Sequence, residues 1–177
     1  MRKNKKKITK VATITAENYD MSVEDQKRRN EGKFFTPTPW VDKAHEMVTR
    51  VFGENWKDEY VVWDCCCGSK NLTRDYRFKE LYCSTLEQAE LDISKNYNQE
   101  ATSFVFDFLN EYDEDLERKA PGLMTAIREN KKLLFLINPP YGMATGPKVG
   151  GMGEGVTTST MINSMMKKEK IGGGLNS

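Results

Sequence analysis

The residues best suited to chemistry stand together at Asn138-Pro139-Pro140-Tyr141, directly behind the unbroken apolar run Leu133 to Ile137. The run is apolar on both faces and too short for a buried helix, which predicts a fully buried parallel strand. Proline cannot donate to a sheet ladder and fixes its own φ. Pro139 and Pro140 therefore end the strand and hold Asn138 and Tyr141 at its carboxyl edge, where open α/β folds place their ligands. An amide, a rigid backbone carbonyl and an aromatic ring at such an edge suit a planar group that carries an exocyclic amine. The lone pair of that amine is delocalised into its ring and is a poor nucleophile. If the Asn138 side-chain oxygen and the Pro139 carbonyl accept its two protons, the nitrogen is biased toward a tetrahedral form while Tyr141 stacks on the ring. The plainer alternative is a strand end followed by an ordinary proline turn.

Three carboxylates bear the same relation to other apolar runs. Tyr60-Val61-Val62-Trp63 is a short strand that feeds Asp64-Cys65-Cys66-Cys67-Gly68-Ser69-Lys70-Asn71-Leu72. A run of small residues after a strand lets the backbone close tightly on a ligand, and the acid can take a ligand ammonium or water-mediated contacts. Leu81 to Leu86 form a strand ending at Glu87. An acid at that edge, about twenty residues past the loop, is where nucleoside-binding α/β folds bond a ribose diol. Ser103 to Phe108 form another strand, carrying Asp107 at its carboxyl edge. Any one such acid is more often a helix cap or a solvated loop residue. Four polar residues at one edge of one sheet, Asp64, Glu87, Asp107 and Asn138, point to a nucleoside-like ligand and a second substrate.

The elements that must position these residues alternate. Helical stretches at Gln88 to Ile93, and at Leu123 to Asn130 after the Pro121-Gly122 break, separate the strands. This predicts an α/β fold with four parallel strands near 60–64, 81–86, 103–108 and 133–138. The segment Gly32 to Pro39 reads as extended, since a residue before proline is pushed out of the helical region. Thr38 as cap and Pro39 at the first helical position start a helix with the apolar stripe Val41, Ala44, Val48 and Val51/Phe52, and Gly53 stops it. His45, the only histidine, lies near that stripe and reads as a packing or surface residue. Ser22 caps a short polar helix through Asn30, and residues 1–20 lack any period, as a disordered basic arm would.

With 177 residues, 38% apolar and 30% charged, there is room for one sizeable core of ordinary soluble composition. No apolar run is long enough to span a membrane. Met1 to Lys10 is basic without the apolar segment of a secretory signal, so a cytoplasmic location is expected. Cys65, Cys66, Cys67 and Cys83 lack zinc spacing, because adjacent strand residues point to opposite faces. Reduced buried thiols and no metal are the expectation. Net charge is only +1, but the positive residues cluster at 2–10, 27–29 and 167–170. Such runs suit phosphate contacts, although a solvated tail is their commoner use.

Taken together, the segments resemble the amino-terminal part of an N6-adenine DNA methyltransferase of the type whose cofactor motifs precede the catalytic one. Lys33-Phe34-Phe35-Thr36-Pro37 resembles that family's leading cofactor motif, and Asp64 to Leu72 its glycine loop. Glu87 and Asp107 sit like its ribose and adenine contacts, and Asn138 to Tyr141 match its catalytic tetrapeptide. The match covers about residues 30 to 142, and the order of the motifs is more specific than any one of them. The resemblance implies a Rossmann-like methyltransferase sheet and S-adenosyl-L-methionine as cofactor. It places Phe35, Thr36, Pro37, Asp64, Cys66, Gly68, Asn71, Leu72, Glu87, Asp107 and Phe108 against that cofactor. It places Asn138, Pro139, Pro140 and Tyr141 around an adenine rotated out of DNA. The implied organisation is a basic arm at 1–20, a partial methyltransferase core at 21–142 and a glycine-rich loop and tail at 143–177.

Two departures stand out. The family usually has a second glycine where this chain has Lys70, which argues against a left-handed backbone there. It also has small apolar residues in place of Cys65 and Cys66. The family's sheet continues with three more strands and usually a region that reads DNA sequence. The sheet is therefore expected to be truncated after its fourth strand, leaving an edge to be covered by a second subunit or the missing carboxyl-terminal part. Two other functions compete. One is methylation of a protein glutamine amide with a similar tetrapeptide, against which the Phe-Thr-Pro segment argues. The other is a non-catalytic remnant that binds cofactor or partner.

Overall fold

The computed structural model, which describes residues 35–139, joins four segments as strands. They are β1 (Val61–Asp64), β2 (Glu80–Thr85), β3 (Thr102–Val105) and β4 (Leu133–Phe135), all parallel in the order β3-β2-β1-β4. The run expected to be fully buried is not: Leu133 and Leu134 are half-buried and Phe135 and Ile137 are exposed, because β4 lies at the edge of the sheet. The arm, the helix expected at Ser22 to Asn30, Pro140, Tyr141 and the tail lie outside the described residues. After β3 the chain crosses back to the far side of β1. The crevice between β1 and β4 is thus the point at which strand order reverses, and ligands of open α/β sheets bind outside the carboxyl ends of such strands.

Alternation along β1 builds two cores. Val61 and Trp63 face one cluster with Tyr82, Phe104, Leu116, Leu123 and Met124. Val62 faces the other, with Val41, Trp56, Leu81, Cys83 and Leu91. The first cluster is covered by α4 (Asp113–Lys119) and α5 (Pro121–Arg128). The second is covered by α1 (Thr38–Phe52), α2 (Trp56–Glu59) and α3 (Gln88–Ile93). The result is a three-layer α/β arrangement compatible with a Rossmann-like fold. Buried indoles keep their N–H groups satisfied: Trp56 donates to Thr49 Oγ1 (3.0 Å) and Trp63 to Ser84 Oγ (3.1 Å). Among the described residues no helix is long and apolar enough to cross a membrane.

Several boundaries differ from the expectation. Tyr60 closes α2 rather than opening β1, its N–H bonding the Trp56 carbonyl. Regular pairing stops at Thr85, Val105 and Phe135, so Leu86, Glu87, Phe106 to Phe108 and Asn138 lie just beyond the strands. Single ladder bonds continue past two of these ends, from Phe106 N to Thr85 O (2.9 Å) and from Leu136 N to Trp63 O (3.1 Å). Pro37, not Thr38, caps α1: its carbonyl accepts from Trp40 and Val41, and Thr38 and Pro39 are the first helical residues. The α1 stripe buries Val41 and His45, whereas Val51 faces outward at 73% exposure.

Pro121 starts α5 rather than breaking the chain ahead of it, as its missing N–H would be an orphan in the first turn anyway. Gly122 follows because a Cβ there would meet the Tyr82 hydroxyl at 2.6 Å. Helices α2 and α4 were not anticipated. The acids Asp113 to Asp115 at one end of α4, with Arg118 and Lys119 at the other, are the legible sign of the latter.

Candidate ligand site at the carboxyl edge

Five separate stretches converge beyond the strand ends around a cavity of about 390 Å³, within the ~300–1,000 Å³ usual for small-molecule sites. Phe35 and Thr36 form one wall, and the loop from Asp64 to Leu72 forms the floor. Thr85, Leu86 and Glu90 come from the β2–α3 connection, Phe106 to Leu109 follow β3, and Ile137 to Pro139 follow β4.

Asp64 dominates the floor. It ends the central strand, has no solvent exposure, and neither carboxylate oxygen has a hydrogen-bond partner. Burial pushes its pKa well above the carboxylate range. The Cys83 and Cys66 thiols add to the rise, and the nearby Cys66 amide offsets it only in part. Burial therefore disfavours the Asp64 anion, and a cationic group entering the cavity would favour it.

The loop after Asp64 is tied down from several sides. Cys67 N bonds the Ser84 carbonyl (2.8 Å), and Ser84 Oγ bonds the Cys65 carbonyl (3.2 Å). Gly68 has φ +48°, and a Cβ there would sit 3.6 Å from the Phe35 ring, so the ring rests on the glycine. Lys70 also adopts a left-handed conformation, φ 63°, contrary to the expectation that a lysine excludes it. Tertiary bonds impose it. Lys70 N donates to Cys67 O (2.7 Å), its carbonyl accepts from Thr73 and Arg74, and its Nζ reaches the Tyr97 carbonyl at 3.1 Å.

The thiols form two pairs in which one sulfur assists the other. Cys65 is raised in pKa by its neighbour Cys66 and by burial, and Cys66, half-buried at the cavity, is lowered. Cys67 is likewise raised beside a lowered Cys83. All four are free thiols.

The polar residue after β4 is anchored from the other end of the chain. Asn138 Nδ2 donates to Thr36 Oγ1 at 2.8 Å, across 102 positions of sequence. This bond assigns the amide nitrogen to Thr36 and the amide oxygen to the opposite side. Asp107 lines the cavity too, but it also holds its own turn: Oδ1 accepts from Leu109 N (3.0 Å) and Oδ2 from Asn110 Nδ2 (2.8 Å). Phe108 packs between Trp63 and Phe135, at 5.5 and 6.3 Å between ring centroids.

No family model matches the chain, and no curated protein or solved structure is significantly similar to it. What the site does must follow from its own residues.

Of the residues singled out from sequence, Phe35, Thr36, Asp64, Cys66, Gly68, Asn71, Leu72, Asp107, Phe108, Asn138 and Pro139 line the cavity. Pro37 and Glu87 do not: Pro37 caps α1, and Glu87 is the half-buried cap of α3. The acid that lines the cavity here is Glu90, one helical turn further on, 3% exposed and bonded by Thr85 Oγ1 at 2.5 Å. The i, i+3 relation to the cap was the available signal, because a side chain at the third helical position leans back toward the strand end. Chemically, the site offers a buried acid on its floor, apolar lining from Leu86, Phe106 and Phe108, and an oriented amide just past β4.

Proposed function

We propose that this chain is an S-adenosylmethionine-dependent N6-adenine DNA methyltransferase, with DNA-reading surface supplied by a partner chain or a further segment. The observation that carries the reading is the meeting, in one cavity, of the unpartnered Asp64 carboxylate with the Thr36-anchored Asn138 amide. The residues fit such a cofactor. Asp64 lacks the cationic partner that the ammonium of the methionine moiety would be, and Leu86, Phe106 and Phe108 offer apolar surface to an adenine ring.

The bound cofactor would supply a methyl group on a sulfonium, an activated donor that asks for positioning more than for acid–base help. The chain's part is then to hold the acceptor. The Asn138 oxygen and the Pro139 carbonyl accept the two protons of an exocyclic amine, drawing its lone pair out of conjugation. Thr36 keeps the amide from turning its NH₂ toward those protons. The rotated-out base requires a few kcal/mol of unstacking, which Tyr141 offsets in part by stacking. The basic runs near both ends of the chain suit the DNA backbone.

Calorimetry with S-adenosylmethionine and methyl transfer to duplex DNA test the reading. Binding and transfer to adenine are expected, with Asn138→Ala abolishing transfer while cofactor affinity stays nearly unchanged. An Asn138→Ala protein that methylates adenine at close to the parent rate would sink the mechanism. Transfer to a glutamine peptide would support the amide enzyme, and binding without transfer a non-catalytic remnant.

A further inference from the structure

We propose that the open face of β4 is a docking surface for residues 160–171 of this same chain. The two faces of this edge strand are unlike. On one, Leu134 and Leu136 pack into the cluster that holds Val41 and Val62. On the other, Phe135 stands in register with Trp63 of β1 and shares its side of the sheet, and Ile137 follows it there by alternation. The rings of Phe135, Trp63 and Phe108 meet with centroids 5.3 to 6.3 Å apart. Helices α4 and α5 supply Leu116, Leu123 and Met124 to the cluster on this side, yet beyond them Phe135 stays 47% exposed, Ile137 38% and Phe108 37%. Adjoining apolar side chains left open at a sheet edge mark a surface that something covers.

Topology names the occupant. From β2 to β3 the chain carries α3 over one face, where Leu91 joins the cluster of Val62; from β3 to β4 it moves back across the sheet and carries α4 and α5 over the other. Connections between parallel strands are right-handed, so the direction of travel sets the face. Residues that continue past β4, away from β1, therefore come over the face of α4 and α5, which is the face of Phe135. The amino-terminal residues enter instead through α1, on the opposite face. Among the continuing residues, Met161, Ile162, Met165 and Met166 recur at helical spacing, so a short helix would carry all four on one side. Methionine suits an irregular aromatic surface, since its flexible thioether makes favourable contacts with rings. The glycine-rich connection 140–159 spans about 25 Å on average as a flexible chain, ample for a surface that begins only a few residues before Pro139.

The test uses the full chain with p-benzoylphenylalanine in place of Phe135, irradiated at low and high protein concentration. Cross-links from that position to residues 160–171 within the monomer, at a yield independent of concentration, are expected. Covalent dimers whose yield rises with concentration would make a second copy the occupant and overturn the proposal, as would the absence of any cross-link to 160–171. Methionine oxidation by dilute peroxide supplies a second readout. Phe135→Glu should speed oxidation of Met161, Met165 and Met166 by about tenfold, the change expected on releasing a segment held by about 1.4 kcal/mol. Met47, 58% exposed on α1, should keep its parent rate. If Phe135→Glu unfolds the protein, seen as rapid oxidation of the buried Met124, Ile162→Asp takes its place, with the same acceleration expected at Met165 and Met166. Equal oxidation rates in parent and folded variant would overturn the docking.

Discussion

Two buried titratable side chains meet the Asp64 to Leu72 loop at its two ends, and the protein treats them differently. Against Leu72, at the end of the loop, His45 is 3% exposed and packed among aromatic rings, with its Nδ1 lacking a hydrogen-bond partner. Its Nε2 bonds the Leu72 carbonyl at 2.8 Å, and its ring stacks on Tyr76 at 3.6 Å between centroids, with Trp56 and Phe78 at its edges. Burial lowers its pKa, so it is a neutral donor to Leu72. The Tyr76 hydroxyl in turn bonds Asp42 at 2.5 Å, and burial with that acceptor lifts its pKa to about 12. At the loop's start, Asp64 is equally buried, and neither of its carboxylate oxygens has a hydrogen-bond partner. The difference teaches which half of the loop is scaffold and which half is site. The contrast is one of degree: His45 has its Nε2 satisfied and only Nδ1 unpartnered, whereas both carboxylate oxygens of Asp64 lack a partner, which a cationic ligand could supply.

The largest expected effect breaks the Asp64 side of this comparison. Asp64→Asn preserves shape and removes the charge, so binding of S-adenosylmethionine should weaken by about 3–5 kcal/mol, the penalty for leaving one member of a buried pair alone. The same variant should leave the unliganded protein as stable as the parent or more so at neutral pH. Calorimetry and urea unfolding measure the two quantities, and a variant with parent affinity would remove Asp64 from the site.

Proton linkage sharpens the same point. The folded pKa of Asp64 is raised, so between the unfolded carboxyl value of about 4 and that raised value the folded state holds the extra proton, and its contribution to stability declines as pH rises. A cationic ligand should expel that proton, so its affinity should climb with pH through the raised value. Titrations in two buffers of different ionisation enthalpy should report proton release, and equal heats at every pH would count against a raised Asp64 pKa.

The His45 side has the opposite sign. Its folded pKa is lowered, so as pH falls below about 6.5 the unfolded state takes up a proton first and stability drops. His45→Phe keeps the stack on Tyr76 but strands the Leu72 carbonyl, which should destabilise by about 1–3 kcal/mol at pH 7 and remove that acid sensitivity. Urea midpoints measured from pH 7 to 5 would show both. An unchanged slope would mean that His45 is not what titrates.

The smallest effect concerns Lys70, where scaffold and site meet. Lys70→Ala loses the tether to the Tyr97 carbonyl and keeps a left-handed backbone, whereas Lys70→Gly loses the tether and relieves the backbone. The alanine variant should be less stable than the glycine variant by about 1 kcal/mol. Equal unfolding midpoints would show that Lys70 carries no backbone strain.

Much of the fold and part of the site were legible from local pattern. Four short apolar runs alternating with helical stretches favour parallel strands joined by crossovers, and prolines behind Ile137 and ahead of α1 favour extended backbone. Polar residues at the ends of such runs arrive at one edge of the sheet because parallel strands all end there. That placed Asp64, Asp107 and Asn138 beside one cavity without any knowledge of their contacts. What the chain could not declare locally depends on how helices enter the sheet and on partners far away in sequence. Whether Glu87 or Glu90 faces the cavity is set by the start of α3 relative to the end of β2, a matter of one helical turn. Lys70 is left-handed because bonds to Cys67, Thr73 and Tyr97 outweigh its own preference. The Asn138 amide is oriented by Thr36 from 102 positions away, a bond that exists only once β4 has paired beside β1 and brought the two ends of the described chain together.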